Sequence, residues 1–152
     1  MGGGACEVWF YHLERSALDQ VLPELLEKTL ARGWRALVRG EDVESLARLD
    51  DQLWTYRDES FLPHGLAEEP FADRQPVLLS ATGVNLNAAQ ALFVIDGEPG
   101  SLEGYERCIM IFDGRSDEGV AHARTLWTRY KTAGHAVTYW RQGENRGWVK
   151  QA

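Results

Sequence analysis

A chain of 152 residues with 44% hydrophobic residues is long enough for one domain with a buried core, and too apolar to be disordered throughout. Its formal net charge of −7 and its pI of about 5.1 exclude the broad attraction to phosphate that drives direct nucleic-acid binding. A role near DNA would therefore depend on a protein partner or on a small local basic patch.

The first half of the chain alternates predicted strands and helices. The predicted elements are a strand at Glu7–Leu13, a helix from Ala17 to Arg32 with Ser16 and Gly33 as caps, a strand at Arg35–Arg39, and a helix from Asp42 to about Trp54. Pro23 lies inside the first helix, where we expect it to kink the helix or to delay its regular part.

The second half begins with a long irregular stretch over residues 56–75. The elements predicted after it are strands at Pro76–Ser80, Ala91–Gly97 and Cys108–Gly114, a helix from Asp117 to Ala133 closed by Gly134, a strand at Ala136–Trp140, and a short element at Gly147–Lys150. Near-continuous apolar runs are typical of strands buried on both faces. The pattern predicts one α/β domain over residues 1–152, a three-layer sandwich of Rossmann-like topology. Its sheet is expected to be mostly parallel, and a mixed sheet is indicated because the middle of the chain carries strands with short connections.

The cysteine pattern and the hydrophobic pattern indicate a compartment. Cys6 and Cys108 have neither a CxxC nor a zinc spacing, which favours reduced thiols. No apolar run approaches the roughly 20 residues of a membrane helix, and Met1–Gly4 does not begin a signal peptide. We expect a soluble cytoplasmic protein without a membrane partner.

Two aspartates allow a catalytic hypothesis. Asp96 and Asp113 each follow an apolar strand, at the edge where open α/β sheets bind ligands. The pattern alone favours the simpler interpretation that each Asp-Gly pair makes a turn, because no glycine-rich phosphate loop is present. A small α/β enzyme that uses this edge remains the second hypothesis.

No other motif predicts catalysis. The four histidines are scattered and lack metal spacing, and no GxSxG motif occurs. We therefore predict no catalytic residue, no metal and no cofactor, although a dyad formed only in space stays open.

The last predicted helix carries the strongest signal for a binding site. Four residues share one face and are expected to be buried: Ala123, Leu126, Tyr130 and Ala133. Trp127 falls at the edge of this face, flanked by Arg124 and Lys131 on the solvent side. This arrangement suits an acidic peptide with an apolar anchor. A core tryptophan with solvated charges at its rim is the alternative, and the pattern alone favours it.

Trp54 and Phe61 form a second aromatic group near the irregular stretch. They either fill the core beneath that stretch or form an exposed patch at a protein interface. A third hypothesis is therefore self-association through this patch.

These motifs together resemble the chi subunit of the bacterial DNA polymerase III holoenzyme. The resemblance runs over nearly the whole chain and includes Phe10–Leu13, Leu25–Lys28, Gly33–Arg35, Leu49–Asp50 with Leu53–Trp54, Ser60–His64, Leu92–Ile95, Phe112–Gly114, Ala123–Trp127, Tyr139–Trp140 and Gly147–Lys150. The Leu-Asp-x-x-Leu-Trp and Ser-Phe-Leu-Pro-His pair is the most specific part.

The resemblance implies a non-catalytic clamp-loader accessory subunit with an α/β fold. It implies binding of the acidic C-terminal tail of the single-stranded-DNA-binding protein, with contact to DNA only indirect. It also implies binding of the psi subunit, or of a lineage-specific substitute, and through it of the clamp loader.

Site residues follow from the same resemblance. Arg124 and Trp127 correspond to tail-binding positions, the second of which is often tyrosine in the family. A cation common one residue later is Thr128 here, and a basic position one turn before Arg124 is Val120. We infer, outside the family match, that Lys131 supplies the missing charge. The psi-facing positions correspond to Trp54 and Phe61.

Overall fold

The computed structural model describes residues 6–14, 18–54, 64–66, 72–82, 84–142 and 148–151, without the side chains of Asp19 and Trp54. Within these residues, three α-helices and eight strands form one layered unit. In chain order they are β1 (Glu7–Leu13), α1 (Leu18–Ala31), β2 (Ala36–Arg39), α2 (Val43–Trp54), β3 (His64–Leu66), β4 (Val77–Ser80), β5 (Ala91–Val94), β6 (Arg107–Asp113), α3 (Asp117–Thr132), β7 (Val137–Gln142) and β8 (Trp148–Lys150). A 3₁₀ turn at Ala72–Arg74 precedes β4.

The strands form one sheet in the order β3-β4-β2-β5-β6-β1-β7-β8. All neighbouring strands are parallel except β7 and β8, which pair antiparallel at one edge. The prediction of a mostly parallel α/β sheet is confirmed. The expectation of a mixed sheet is also confirmed, and the only antiparallel pair that the described strands form lies at the edge.

The helices cover the two faces of the sheet unequally. The apolar side chains of α1 and α2 pack on one face, and those of α3 pack on the other. The crossover through α1 connects β1 to β2 in one direction along the sheet, and the crossover through α3 connects β6 to β7 in the opposite direction. Right-handed crossovers on opposite faces of a sheet require this reversal. This reversal creates a switch point near the carboxyl ends of β6 and β1, the kind of position where open α/β sheets bind ligands.

Strand alternation distributes the aromatic residues of β1 and β7 between the two faces. Phe10 and Tyr139 belong to the core on the α3 side. Tyr11 belongs to the core on the α1 side, and Trp9 and Trp140 pack against that core. Because successive side chains of a strand point to opposite faces, two neighbouring strands build two separate aromatic surfaces.

Turn chemistry explains most of the element boundaries. Gly33 follows α1 with a φ of 85°, and Gly134 follows α3 with a φ of 96°, so both adopt the left-handed conformation that glycine favours after a helix. Asp42 Oδ1 accepts a hydrogen bond from the Glu44 amide at 3.1 Å and caps α2. The helix α1 runs without interruption through Pro23, and the predicted cap Ser16 lies outside the described residues.

Two local predictions are corrected. The stretch predicted as irregular contains the short strand β3, which pairs with β4. Ala133 is exposed rather than buried, because α3 ends at Thr132 and Ala133 belongs to the turn that follows it. In the described parts of the chain, none of the helices has the length and hydrophobicity needed to span a bilayer.

Candidate functional site

Helix α3 has a capped beginning and a cationic end. The Ser116 hydroxyl accepts a hydrogen bond from the Gly119 amide at 3.1 Å, which satisfies a free donor of the first turn. Acidic residues occupy the first turn, and Arg129 and Lys131 occupy the last, the distribution that the helix dipole favours. The helix therefore carries positive charge at the end where Trp127 lies.

Trp127 is half-buried against aromatic residues of two strands. Its indole centre lies 5.7 Å from the ring centre of Phe10 in β1. It lies 5.9 Å from the ring centre of Tyr139 in β7, in an edge-to-face arrangement. The sheet thus fixes the orientation of the indole while part of it remains accessible to solvent.

Two cations lie beside this indole. Lys131 places Nζ 5.8 Å from the indole centre, within the range of a cation–π contact. Arg124 is exposed three residues before Trp127. Burial raises the pKa of Tyr139, and Arg141 and Arg124 partly offset that rise through their positive charges. The guanidinium of Arg124 is therefore close enough to influence the pKa of Tyr139, one of the rings that pack against Trp127.

The charges of Arg124 and Lys131 are not neutralised locally. Among the described residues, neither side chain has a carboxylate within 4.0 Å. Arg129 differs, because its Nη1 donates to Glu98 Oε1 at 2.8 Å. This hydrogen bond is the main reason that the pKa of Glu98 lies below its usual value. Arg129 is thus an ion-paired cation on the same helix.

Tyr139, which packs against Trp127, also contacts a buried histidine. The Tyr139 hydroxyl forms a hydrogen bond with His12 Nδ1. His12 Nε2 lies 3.5 Å from Glu14 Oε1, which also accepts from Arg141 Nε at 2.8 Å. Burial lowers the pKa of His12 below 6.5, although Glu14 opposes the shift. His12 therefore favours its neutral form in the folded protein.

A separate cavity of about 340 Å³ opens at the carboxyl ends of β5 and β6, beside the first turns of α3. Asp96 and Asp113 both line it, so the pocket that the enzyme hypothesis requires is present. The Arg115 amide donates to Asp113 Oδ1 at 2.9 Å and its Nε donates at 3.0 Å, and these bonds lower the pKa of Asp113. A lowered pKa favours the ionised carboxylate, so Asp113 is not poised to act as a general acid.

Comparison with known proteins identifies the family. The sequence profile of "DNA polymerase III chi subunit, HolC" matches residues 6–138, which is most of the chain. The chain belongs to the DNA polymerase III chi-subunit family. The resemblance seen in the sequence is thereby confirmed.

Individual relatives match over shorter segments. The probable DNA polymerase III subunit chi of Rickettsia prowazekii is 28% identical over 85 residues, which are 56% of this chain and 52% of that protein. The DNA polymerase III subunit chi of Pseudomonas aeruginosa is 41% identical over 54 residues, which are 36% of this chain and 38% of that protein. The Escherichia coli subunit is also 41% identical over 54 residues, with 37% of that protein covered. The chain thus spans about half or less of the length of these curated relatives.

A solved structure, that of RecG bound to a three-way DNA junction, matches the fold with a TM-score of 0.52 at 13% identity. The match covers 90% of this chain and 22% of that chain. A likeness at this identity shows the α/β fold alone.

The other motif of this chi-family protein is partly described. Trp54 ends α2, but its side chain and Phe61 lie outside the described residues. His64, from the same motif, is buried, and its Nε2 lies 3.1 Å from the Asp50 carbonyl oxygen and 3.2 Å from Asp50 Oδ1. Asp50 and His64, one from each part of the motif, therefore contact each other and hold β3 against α2.

The sequence did not predict that Phe10 and Tyr139 support the site. Both occupy alternating positions in aromatic strands, and Tyr139 is followed by Trp140. Because alternation sends these two neighbours to opposite faces, one of them had to lie on the α3 side. That pattern was the available signal.

Proposed function

We propose that this protein is a non-catalytic adaptor of the DNA polymerase III holoenzyme that binds the acidic C-terminal tail of the single-stranded-DNA-binding protein. The observation that carries the proposal is the half-exposed Trp127 indole, flanked by Arg124 and Lys131, neither of which has a carboxylate partner among the described residues. The indole offers a wall for an aromatic side chain, and the cations offer partners for carboxylates.

Charge supports a protein ligand at this site. The chain carries 23 acidic and 16 basic residues, so most of its surface repels a polyanion. A short acidic tail needs only a local cluster of cations. The protein would reach DNA by holding a protein that holds DNA.

The link to the clamp loader rests on the family resemblance. We propose that Trp54 and Phe61 contact the psi subunit or a lineage-specific substitute. The contact between Asp50 and His64 supports this indirectly, because it fixes the end of α2 and the strand β3 on either side of the segment that contains Phe61. The two partner surfaces would then lie at different parts of the molecule.

A peptide titration tests the tail-binding proposal. A synthetic acidic peptide that ends in phenylalanine should bind with a micromolar Kd, about −8 kcal/mol. Arg124→Ala and Trp127→Ala should each weaken binding by about 1–3 kcal/mol. Arg129→Ala is the matched control, because Arg129 lies on the same helix but is paired with Glu98. Equal affinity of the Arg124 and Trp127 variants and the unmodified protein would refute the assignment.

The strand-edge cavity supports a second candidate, a small-molecule site at Asp96 and Asp113. An ionised Asp113 favours a cationic or hydroxyl-bearing ligand. A panel of amines and nucleosides should then raise the melting temperature of the unmodified protein and not that of Asp113→Asn. Absence of any such stabilisation would remove this candidate.

A further inference from the structure

A second groove lies on the face of the sheet opposite α3, between the end of α1 and the strands β1, β6, β7 and β8. Its volume is about 410 Å³. The side chains that carry the argument are four aromatics and three cations: Trp9, Tyr11, Trp140, Trp148, Lys28, Arg32 and Arg107. Neither the tail-binding site nor the Trp54 and Phe61 motif includes any of them.

The aromatic residues form a continuous wall. The ring centres of Tyr11 and Trp148 lie 4.8 Å apart in an edge-to-face contact. Tyr11 and Trp140 are stacked at 6.3 Å, and Trp9 and Trp140 lie 5.8 Å apart. All four residues are at least partly buried, so the wall is pre-formed rather than assembled from mobile surface side chains.

The cations gather at one end of this wall. Arg107 begins β6, and Lys28 and Arg32 lie at the end of α1, which in a parallel crossover returns to the amino-terminal edge of the sheet. The Arg107 guanidinium carbon lies 3.8 Å from the Trp9 ring centre, and that of Arg32 lies 4.3 Å from the ring centre of Trp34. These contacts with indoles hold the two guanidinium groups in place. Arg107 also contacts Glu7, whereas Arg32 is exposed and can bind an anion.

Two buried donors in the groove have no hydrogen-bond partner within the described residues. They are Trp140 Nε1 and Arg107 Nε. Buried polar groups in native proteins are nearly always paired, so two unpaired donors on residues that line one groove mark a place where the polar groups are not fully satisfied. Arg107 Nη2 already lies 3.3 Å from Glu7 Oε2, so a ligand would bind the remaining accessible N–H groups of that side chain.

We propose that this groove is a second peptide-binding site, which takes an acidic segment with an aromatic or large apolar anchor and acts independently of the site on α3. The anchor packs on Trp140 and Trp148, and a carboxylate of the same segment binds Arg107 and Arg32.

Charge and size favour a peptide over single-stranded nucleic acid. Three cations gathered at one end match a few carboxylates near one anchor, whereas a nucleic-acid strand needs a basic path along its length. The chain as a whole is acidic, with a net charge of −7. A groove of about 410 Å³ holds one bulky side chain with its neighbours rather than a run of bases.

The test uses the full chain with Arg124→Glu and Lys131→Glu, which inactivates the α3 site. The probe is a fluorescein-labelled peptide with several aspartates and one internal tryptophan, compared with the same peptide carrying alanine instead. The first peptide should bind and should shift the indole N–H resonance of Trp140. Adding Lys28→Glu and Arg32→Glu should weaken binding by at least about tenfold. Arg48→Glu, a single charge reversal on α2 outside the groove, should leave it unaltered.

Other outcomes separate this proposal from the first. Loss of all peptide binding in the Arg124→Glu, Lys131→Glu protein, with no shift at Trp140, would overturn the groove and leave the α3 site intact. Full binding in that protein, abolished by the Lys28 and Arg32 changes, would support the groove and count against the α3 site. Tighter binding of an oligothymidine than of the peptide at physiological salt would replace a peptide by nucleic acid and overturn the proposal.

Discussion

The ammonium group of Lys131 lies 5.8 Å from the centre of the Trp127 indole. The two residues are four positions apart on α3, which is the spacing at which helical side chains meet. Thr128, at the position where the family resemblance implies a cation, is exposed and uncharged. Lys131 thus places a positive charge near the indole from the next turn.

Lys131→Ala should reduce the salt dependence of binding to an acidic peptide. Removal of one exposed cation removes a screened attraction, so affinity should fall by about 0.5–1 kcal/mol at low salt and by less at high salt. Titrations at two ionic strengths measure this change. The paired cation Arg129 provides the comparison, and an equal effect of Arg129→Ala would show that only overall charge matters.

Trp127 should contribute to both stability and binding. Trp127→Ala removes contacts with Phe10 and Tyr139, so the free energy of unfolding should fall by about 1–3 kcal/mol. Trp127→Tyr keeps an aromatic wall and should retain most of the binding. Urea denaturation and peptide titration on both variants separate the two contributions. Binding lost equally in the tyrosine variant would argue against a simple aromatic wall.

His64 should stabilise the junction of β3 and α2. His64→Ala leaves the Asp50 carbonyl without its imidazole partner in a buried position, which should cost about 1–3 kcal/mol of the free energy of unfolding. His64→Gln keeps a donor and should cost less. Chemical denaturation of the three proteins checks the order. An unchanged midpoint for the alanine variant would mean that this contact does not hold β3.

His12 should make stability depend on pH. Its pKa is lowered in the folded protein, so below pH 6.5 the unfolded chain binds more protons at this residue than the folded chain does. The free energy of unfolding should therefore fall as pH decreases from 6.5 towards the lower, folded pKa. His12→Asn should flatten that dependence. Equal slopes for both proteins between pH 7 and 5 would contradict the assignment to His12.

Regular elements with strong local signals could be predicted from the sequence. The last helix has Ser116, Gly134 and an apolar stripe that includes Leu126, and its predicted and observed bounds agree within one residue. The short strand β3 could not be predicted, because His64–Leu66 has no alternation and is held by pairing with β4. The pairing direction of the middle strands could not be predicted for a similar reason. The strands β4 and β5 are joined by residues 81–90, and the described residues of this loop contain no helix that would indicate a crossover.

The same distinction between local sequence signals and tertiary pairing applies to the candidate site. Helical periodicity predicted that Trp127 lies at the edge of the buried face and that Arg124 and Lys131 lie on the solvent side, as the structure shows. The rings beneath Trp127 come from β1 and β7, far away in sequence, so only the tertiary pairing of these strands brings Phe10 and Tyr139 together. The groove on the opposite face was missed because its cations and indoles come from separate elements, which no local pattern connects.

The strands β1 and β7 build two surfaces with one alternating register, in which Phe10 pairs with Tyr139 and Tyr11 pairs with Trp140. A single-residue insertion within β7 would exchange every inward and outward side chain that follows it. Such an insertion would disrupt the aromatic residues on both faces of the sheet at once. Substitutions can therefore alter either surface separately, whereas insertions and deletions in these strands should be confined to their ends.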